Sequence, residues 1–440
     1  MGSRRRLLPV LVTGLAATAG GLLTPVSPAS ASPATPPFSD GYSYQPTISG
    51  DGRFVAFQSA ASNLVPGDTN RMVDVFVRDL AQRSTTRVSV GNYGEQADGD
   101  SIGEAAGISG HGRYVAFSSR AGNLVALDRN DAADVFVRDT VARTTRRVSV
   151  SSAGAEADGH SDNPSISDDG RYVTFSSTAT NLVTDDTNGR YDVFRHDLRT
   201  GATIRVSVTA DGRQLTGESG TDDVNADGSV VAFSSAAPEL SPGRQPAASD
   251  VYVRNLRTGT VTLASPAVRS TPAENRVSYV LGISDDGTAV AIYSNDDLAP
   301  GPPGPYAVFI RDLVTGTTRA AGPFADAEHQ AEQLGGALSG DGRVTAFSSA
   351  APLDPGDTND LTDVYRRELC STGDQLVSVG AGGRQSTGQA SWVTLDRHGR
   401  RAAFAADGSN LTADDGPAGD VFVRDTVRGT TTLVSAPFGG

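Results

Sequence analysis

The chain of 440 residues contains no lysine and a single cysteine, Cys370. Without lysine, a Schiff base on a lysine amine and a phosphate-binding Walker lysine are both excluded. With one cysteine, no disulfide can form within the chain, and no cysteine-based zinc site can exist. We interpret the missing lysine as a composition bias, and Cys370, which lies in a turn between strands, as incidental.

Positive charge is scarce as well. The 37 basic residues are all arginine and are outnumbered by 51 acidic residues, so the net charge at pH 7 is −14. Non-specific binding of nucleic acid requires a basic surface, so we expect no nucleic-acid partner.

Long hydrophobic runs are missing except near the N-terminus. Three arginines at residues 4–6 precede an apolar stretch at residues 7–23, and residues 29–31 match a small-x-small cleavage pattern. Residues 1–31 are therefore predicted to be a signal peptide, followed by a short N-terminal segment at residues 32–42. The glycines within the apolar stretch favour a removable signal over a membrane span. The protein is predicted to be secreted, by the Sec or the twin-arginine route, with no membrane span.

What the sequence does contain is a repeat of roughly 58 residues. A turn of Asp-Gly-Arg type recurs seven times, and a second anchor, Asp-Val-(Phe/Tyr), recurs in the same phase. The turn glycines are Gly52, Gly112, Gly170, Gly228, Gly287, Gly342 and Gly399. Each copy contains four short runs rich in Val, Ile, Phe and Tyr, bounded by Gly, Asp and Asn, which is typical of β-strands.

Seven copies of four antiparallel strands predict an all-β fold, a seven-bladed β-propeller of four-stranded antiparallel blades. A four-strand unit is too small for an independent sandwich, and an open solenoid would need atypical end caps. The predicted blades are residues 43–93, 94–153, 154–211, 212–268, 269–325, 326–382 and 383–440. No strand is left over to complete a split blade, so we expect ring closure to rest on packing of the first blade against the seventh.

The repeat resembles the TolB-type, WD-repeat-like propeller family. The resemblance is clearest in Ile-Ser-x-Asp-Gly-Arg-(Phe/Tyr)-Val-Ala-Phe-x-Ser at residues 48–59, 108–119 and 166–177. A second motif, Asp-Val-Phe-Val-Arg-Asp-Leu, follows at residues 74–80 and, with Thr140 in place of the leucine, at residues 134–140. It covers residues 43–437 and implies a propeller that binds partners outside the cytoplasm. It implies no shared catalytic residues, and fold analogy alone does not transfer function.

Strand order predicts two unlike faces. Short turns between strands one and two, and three and four, lie on a short-turn face. The loops between strands two and three and the links between blades lie on the opposite, long-loop face, where binding is expected. The links are acidic, which fits either a solvated surface or a binding surface for cations or basic partners. Their acids are Glu95, Asp98, Asp100, Glu104, Glu156, Asp158, Asp162, Glu218, Asp222 and Asp223.

The loop between strands two and three carries a repeated Asp-x-Asn-x3-Asp pattern. Oxygen ligands at alternate positions, with a later carboxylate, suit calcium, so these loops are candidate metal sites. The alternative is that Asp and Asn form Asx-turns that hold the loop shape. The candidate ligands are Asp68, Asn70 and Asp74; Asp128, Asn130 and Asp134; Asp186, Asn188 and Asp192; and Asp357, Asn359 and Asp363. Calcium is the one cofactor that the sequence suggests.

Catalytic motifs are few. Residues 99–103 fit Gly-x-Ser-x-Gly, but a nucleophile elbow requires a strand before the serine and a helix after it, whereas Ser101 recurs in the repeat as Ser161 and Ser219. No two histidines have metal-ligand spacing. We therefore expect a non-catalytic, monomeric propeller that binds a protein, glycan or cell-wall ligand through its acidic long-loop face.

The alternative function is an extracellular carbohydrate-active enzyme, a glycosidase or lyase, with its site at the mouth of the propeller channel. Blades four to six diverge most from the repeat, at residues 300–305 and around His329, and are the first place to expect a specific site. The sole tryptophan, Trp392, is interpreted as a packing residue rather than a sugar platform.

Overall fold

Seven four-stranded antiparallel sheets form the fold, and each is built from four strands consecutive in the chain. The coordinates, a computed structural model, describe residues 38–103, 105–241, 249–268, 277–300, 306–324, 335–408 and 410–439. The predicted all-β, seven-bladed propeller is therefore confirmed. The predicted signal peptide, residues 301–305 and His329 lie outside the described residues.

The strands are numbered in chain order, four to a blade. Blades one to four comprise β1 Ser43–Ile48, β2 Phe54–Ser59, β3 Asp74–Asp79, β4 Ser84–Arg87, β5 Gly107–Ile108, β6 Tyr114–Ser119, β7 Asp134–Asp139, β8 Thr144–Arg147, β9 Ser161–Ile166, β10 Tyr172–Ser177, β11 Asp192–Asp197, β12 Thr203–Arg205, β13 Ser219–Val224, β14 Val230–Ser235, β15 Asp250–Asn255 and β16 Val261–Leu263. Blades five to seven comprise β17 Ser278–Ile283, β18 Ala289–Ser294, β19 Tyr306–Asp312, β20 Thr318–Phe324, β21 Gly336–Leu338, β22 Val344–Ser349, β23 Asp363–Glu368, β24 Asp374–Leu376, β25 Ala390–Leu395, β26 Arg401–Ala406, β27 Asp420–Asp425 and β28 Thr430–Leu433. A short 3-10 helix, Ala381–Gly383, follows β24.

The first strand of each blade lies at the propeller axis. The first strands contact one another in sequence around the ring, and β25 of the last blade contacts β1 of the first. Hydrophobic cores fill all seven interfaces between neighbouring blades. The core is thus a ring of blade–blade contacts, which explains why apolar residues occur on both faces of the middle strands.

Aromatic pairs fix the register of the two middle strands. Phe57 of β2 lies opposite Phe76 of β3, and their ring centroids are 5.8 Å apart. The same pair recurs in five more blades as Phe117–Phe136, Phe175–Phe194, Phe233–Tyr252, Phe347–Tyr365 and Phe404–Phe422. Cross-strand aromatic pairs of this kind stabilise a sheet beyond the area they bury.

Ring closure uses side-chain and backbone contacts rather than an exchanged strand. Ile48, Val55 and Phe57 of blade one pack in a single core with Val421 and Val423 of blade seven. At the long-loop end of this interface, the backbone N–H of Ser43 donates to the carbonyl of Gly419 at 2.8 Å. Packing of the first blade on the seventh closes the ring, as the phase of the repeat led us to expect.

The turns between the first and second strands have nearly one conformation throughout. Their glycines all have positive φ, for example +71° at Gly112, which a residue with a side chain rarely adopts. A Cβ added at Gly112 would also lie 2.3 Å from a ring carbon of Phe54 in the preceding blade. Both facts explain why glycine recurs at this position of the repeat.

Candidate functional site

The axial channel narrows at the short-turn face. Seven backbone hydrogen bonds, of 2.7–3.3 Å, join each first turn to the next around the whole ring. The donors are the N–H groups of Asp51, Gly110, Asp169, Ala226, Asp285, Asp341 and Arg397, which donate to the carbonyls of Gly110, Asp168, Ala226, Asp285, Gly340, Arg397 and Gly50. This end of the channel is a closed rim.

Arg397 fills the opening that the rim encloses. Its Nε donates to Asp285 of blade five at 2.6 Å, and its Nη2 donates to Asp168 of blade three. Blades three and five are not neighbours of blade seven, so the side chain crosses the axis to reach them. Glycines make room for the two acids, because a Cβ at Gly110 would lie 2.6 Å from Asp168 Oδ1 and one at Gly340 would lie 2.4 Å from Asp285 Oδ1. The channel is therefore blind at the short-turn face.

Replacing Arg397 with methionine is expected to lower the free energy of unfolding by about 1–2 kcal/mol, since both carboxylates lose their partner but keep partial access to water. The side chains of Asp168 and Asp285 are 21% and 32% exposed. Chemical denaturation of R397M measures the effect, with Arg428→Met, an exposed partner of Asp425, as the control. A loss no larger than that of R428M would contradict this role for Arg397, and adding Asp168→Asn and Asp285→Asn should recover part of the loss.

The long-loop end of the channel is lined by the starts of the first strands. A β-bulge lies at this point in blades one, three, four, five and seven. The bulged residues Gln45, Asn163 and Trp392 have positive φ values of 48°, 53° and 50°. Bulges re-aim side chains relative to a regular strand, so these positions depart from the alternation of the first strands.

Aromatic and acidic side chains gather at this end. We call it the channel mouth and define it by Tyr44, Asp162, Tyr191, Tyr279 and Trp392. The rings of Tyr44 and Trp392 are 5.9 Å apart and tilted by 45°. Tyr191 Oη donates to Asp162 Oδ2 at a long 3.4 Å. All five side chains retain solvent access.

A cavity of about 640 Å³ opens at the channel mouth between blades two and five. Asp162, Tyr191, Glu218 and Tyr279 are among the residues that line it. Burial and the charges of Asp162 and Glu218 raise the pKa of Tyr191, so its phenol stays a neutral hydrogen-bonding group at physiological pH. The cavity thus offers carboxylates, a phenol and aromatic faces to a ligand.

One carboxylate beneath this cavity is buried. Both oxygens of Asp222 are inaccessible to solvent, and neither has a hydrogen bond of good geometry within the described part of the chain. Burial is the largest cause and, with the charges of Asp223 and Asp162, raises the pKa of Asp222 to about 8, although Thr174 and Ser176 act in the opposite direction. Asp222 is therefore mostly protonated at pH 7. Its neighbour Asp223 is stabilised by Ser165 and by the N–H of Ile283 at 3.0 Å.

Several of the acidic link residues serve the loops. Asp98 accepts from the N–H of Gly122 at 2.9 Å, Asp100 from the N–H of Val73 at 2.9 Å, and Asp158 from Thr180 through both its N–H and its hydroxyl. Part of the acidic surface is thus structural. Glu104 lies outside the described residues.

In blades one to three the candidate calcium ligands surround an arginine. In blade one, Arg87 Nη1 lies 2.9 Å from Asp68 and 3.0 Å from Asp74, and Asn70 also donates to Asp74 at 2.9 Å. Arg147 pairs with Asp128 and Asp134 in blade two, and Arg205 pairs with Asp186 and Asp192 in blade three. The amides of Asn130 and Asn188 repeat the contact of Asn70. The Asp and Asn residues are brought together as predicted, but around a guanidinium that the sequence reasoning had missed.

Blade six assembles the same acids without an arginine. Leu376 occupies the position of Arg87, and the Gln385 amide donates to both Asp357 and Asp363. Tyr365 Oη donates to Asp357, and the side-chain amide of Asn359 donates to the carbonyl of Ser386 at 2.9 Å. The arginine follows the last Asp of the pattern by thirteen residues in blades one to three alone, which is the sequence signal that could have revealed it.

Blade two differs by one more carboxylate. Glu156 replaces the glutamine found in blades one, three and six. One carboxylate oxygen from each of Asp128, Asp134 and Glu156 lies within 4.8 Å of the other two. Burial and the charge of Asp134 raise the pKa of Asp128 to about 6. Among the described residues this is the one group of three acids with metal-site spacing. Calcium binding stays a prediction.

The Gly-x-Ser-x-Gly segment is explained by the repeat. Ser101 Oγ bonds Ser119 Oγ at 3.0 Å. The same buried pair occurs in four other blades, as Ser43–Ser59, Ser161–Ser177, Ser219–Ser235 and Ser278–Ser294. Ser101 therefore ties the first strand to the second.

No family model matches the chain, and no curated protein matches it. Among solved structures, TolB from Acinetobacter baumannii is 14% identical, with a TM-score of 0.42. The match covers 74% of this chain and 63% of TolB. A prolyl endopeptidase is 13% identical, with a TM-score of 0.54. The match covers 91% of this chain and 50% of the endopeptidase. The chain thus spans under two thirds of these two proteins.

An oligogalacturonate lyase in complex with manganese is matched over nearly its whole length. It is 13% identical, with a TM-score of 0.53, over 89% of this chain and 91% of the lyase. The resemblance to TolB-type and prolyl-oligopeptidase propellers is therefore distant and structural. At these identities the comparisons show the propeller fold alone.

Proposed function

We propose that this protein is a secreted, non-catalytic propeller that binds an extracellular protein, glycan or cell-wall ligand through its acidic long-loop face. The contact is centred on the channel mouth. The observation that carries the proposal is that Trp392, the sole tryptophan, is held there at φ 50° with its ring against Tyr44. A bulky residue in the left-handed region is strained by roughly 1–3 kcal/mol, and such strain clusters at functional sites.

The chemistry of the channel mouth favours neutral or basic ligands. Aromatic faces pack against sugar rings and attract cations, while Asp162 and Glu218 add negative charge to the same cavity. A blind channel also suits binding of a ligand end or side chain rather than passage through the axis. Among the described residues, no helix has the length and apolar character needed to cross a membrane.

Binding is tested with a glycan array and a panel of basic and acidic peptides, followed by a hydrolysis and elimination screen on every ligand that binds. Binding without turnover supports the proposal. Turnover of any ligand would replace it with the alternative, a carbohydrate-active enzyme acting at the channel mouth. No binding in either panel would count against the channel mouth as a site.

Trp392→Asn separates binding from packing. Asn163 shows that asparagine takes this bulged conformation in blade three, so we expect W392N to keep its free energy of unfolding within about 1 kcal/mol. We also expect its affinity for a ligand of the array to fall at least about tenfold, because aromatic anchors dominate binding. Denaturation and titration of the same sample measure both effects. Lost stability with unchanged affinity would assign Trp392 to packing.

A further inference from the structure

A basic residue occupies one position on the third strand of every blade, facing a fixed position on the fourth strand. In six blades the facing residue is its hydrogen-bond partner. These pairs are Arg78–Thr85, Arg138–Thr145, His196–Thr203, Arg311–Thr318, Arg367–Asp374 and Arg424–Thr431. The heavy-atom distances are 2.7–3.1 Å, so the repeat supplies this basic side chain with a hydrogen-bond partner from its own blade.

Blade four breaks this pairing. Arg254 faces Val261, which has no polar side-chain atom. The Nε and Nη1 atoms of Arg254 are inaccessible to solvent, and they have no hydrogen-bond partner within the part of the chain that is described. Burial lowers the pKa of Arg254, and no neighbouring carboxylate offsets it. A buried guanidinium without a partner is costly unless an anion joins it.

Arg254 lies in the wall of a groove of about 1070 Å³ along the outer rim of blade three, apart from the channel mouth. Two other arginines line the groove, but Arg205 pairs with Asp186 at 3.0 Å and Arg213 with Asp211 at 2.8 Å. Ser151 and Thr203 also belong to the lining. Asp185 belongs to the lining as well, but Arg254 is the one arginine of the groove that pairs with no carboxylate among the described residues.

We propose that this rim groove binds an oxyanion, a carboxylate or phosphate group, on the guanidinium of Arg254. A guanidinium donates charge-assisted hydrogen bonds to the oxygens of such a group. The anion gives Arg254 the hydrogen-bond acceptor that Thr or Asp gives the equivalent basic residue in the other six blades. The site does not depend on the ligand of the channel mouth.

Two variants test the site from opposite directions. Arg254→Met removes the cation at similar volume, and Val261→Thr installs the partner used in the other blades. Thermal unfolding and calorimetric titration are done with about 10 mM phosphate, acetate or glucuronate against chloride at equal ionic strength. We expect at least one oxyanion to bind the unmodified protein and raise its melting midpoint. R254M should abolish this response, and V261T should weaken the affinity at least about tenfold.

Arg424→Met is the matched control, since Arg424 already has Thr431 as its partner. Its oxyanion response should equal that of the unmodified protein. The response to phosphate against the two carboxylates identifies which class of group the groove takes. The proposal is overturned if no oxyanion binds the unmodified protein, or if R254M responds as that protein does.

Discussion

Replacing Arg147 with methionine is expected to lower the free energy of unfolding by about 3–5 kcal/mol. The variant leaves Asp128, Asp134 and Glu156 close together with no cation, in a site where Asp134 is fully buried. Removing one partner of a buried ion pair leaves uncompensated charge, which explains the size of the effect. Urea denaturation measures it.

The control is Arg113→Met, which breaks an ion pair with Asp139 whose arginine side chain is 49% exposed. It should cost below about 1 kcal/mol. A loss in R147M no larger than in R113M would contradict the structural role of Arg147. Adding Glu156→Gln to R147M should recover part of the loss, because Gln385 donates to both acids of blade six in this way.

R147M also tests the calcium prediction. Three carboxylates freed of arginine form a better cation site than the native set, so calcium should raise the melting midpoint of R147M relative to EGTA. In the unmodified protein, a calcium-dependent rise of the midpoint would support metal binding by these loops. An unchanged midpoint would indicate that Arg87, Arg147 and Arg205, rather than calcium, neutralise the loop carboxylates of blades one to three.

The second large effect is a pH dependence of stability carried by Asp222. Its pKa is about 8 in the folded protein, against about 3.9 for an unfolded aspartate. Between these values the folded state holds a proton that the unfolded state has released, so stability falls as pH rises. Between about pH 4 and pH 8, the free energy of unfolding falls by up to ~1.4 kcal/mol per pH unit. Above about pH 8 the fall ends, because both states have released the proton.

Asp222→Asn removes this titration while keeping the size of the side chain. Denaturation from pH 5 to pH 9 should show a flatter profile for D222N than for the unmodified protein, with the greatest gain in stability at the alkaline end. Asp211→Asn, an exposed acid on a loop, is the control and should follow the unmodified protein. Parallel profiles for D222N and the unmodified protein would show that Asp222 is ionised in the folded state.

Much of the site could not be read from one repeat at a time. Asp68, Asn70 and Asp74 were found because their spacing is local. Arg87 lies at the end of β4, and the pairing of β3 with β4 brings it to these residues. Tyr44 and Trp392 are almost a full chain length apart, yet they touch because the last blade packs on the first.

The sequence by itself determined the fold, the number of blades and the way the ring closes, because these follow from a short-range pattern repeated seven times. It also showed which residues depart from the pattern. Only the tertiary structure decided what the departures do. Arg397 blocks the axis, Asp222 is buried and protonated, and Arg254 lacks the partner that six other blades supply. The physical reason is that charge balance and burial depend on residues from different blades, whose proximity exists only in the closed ring.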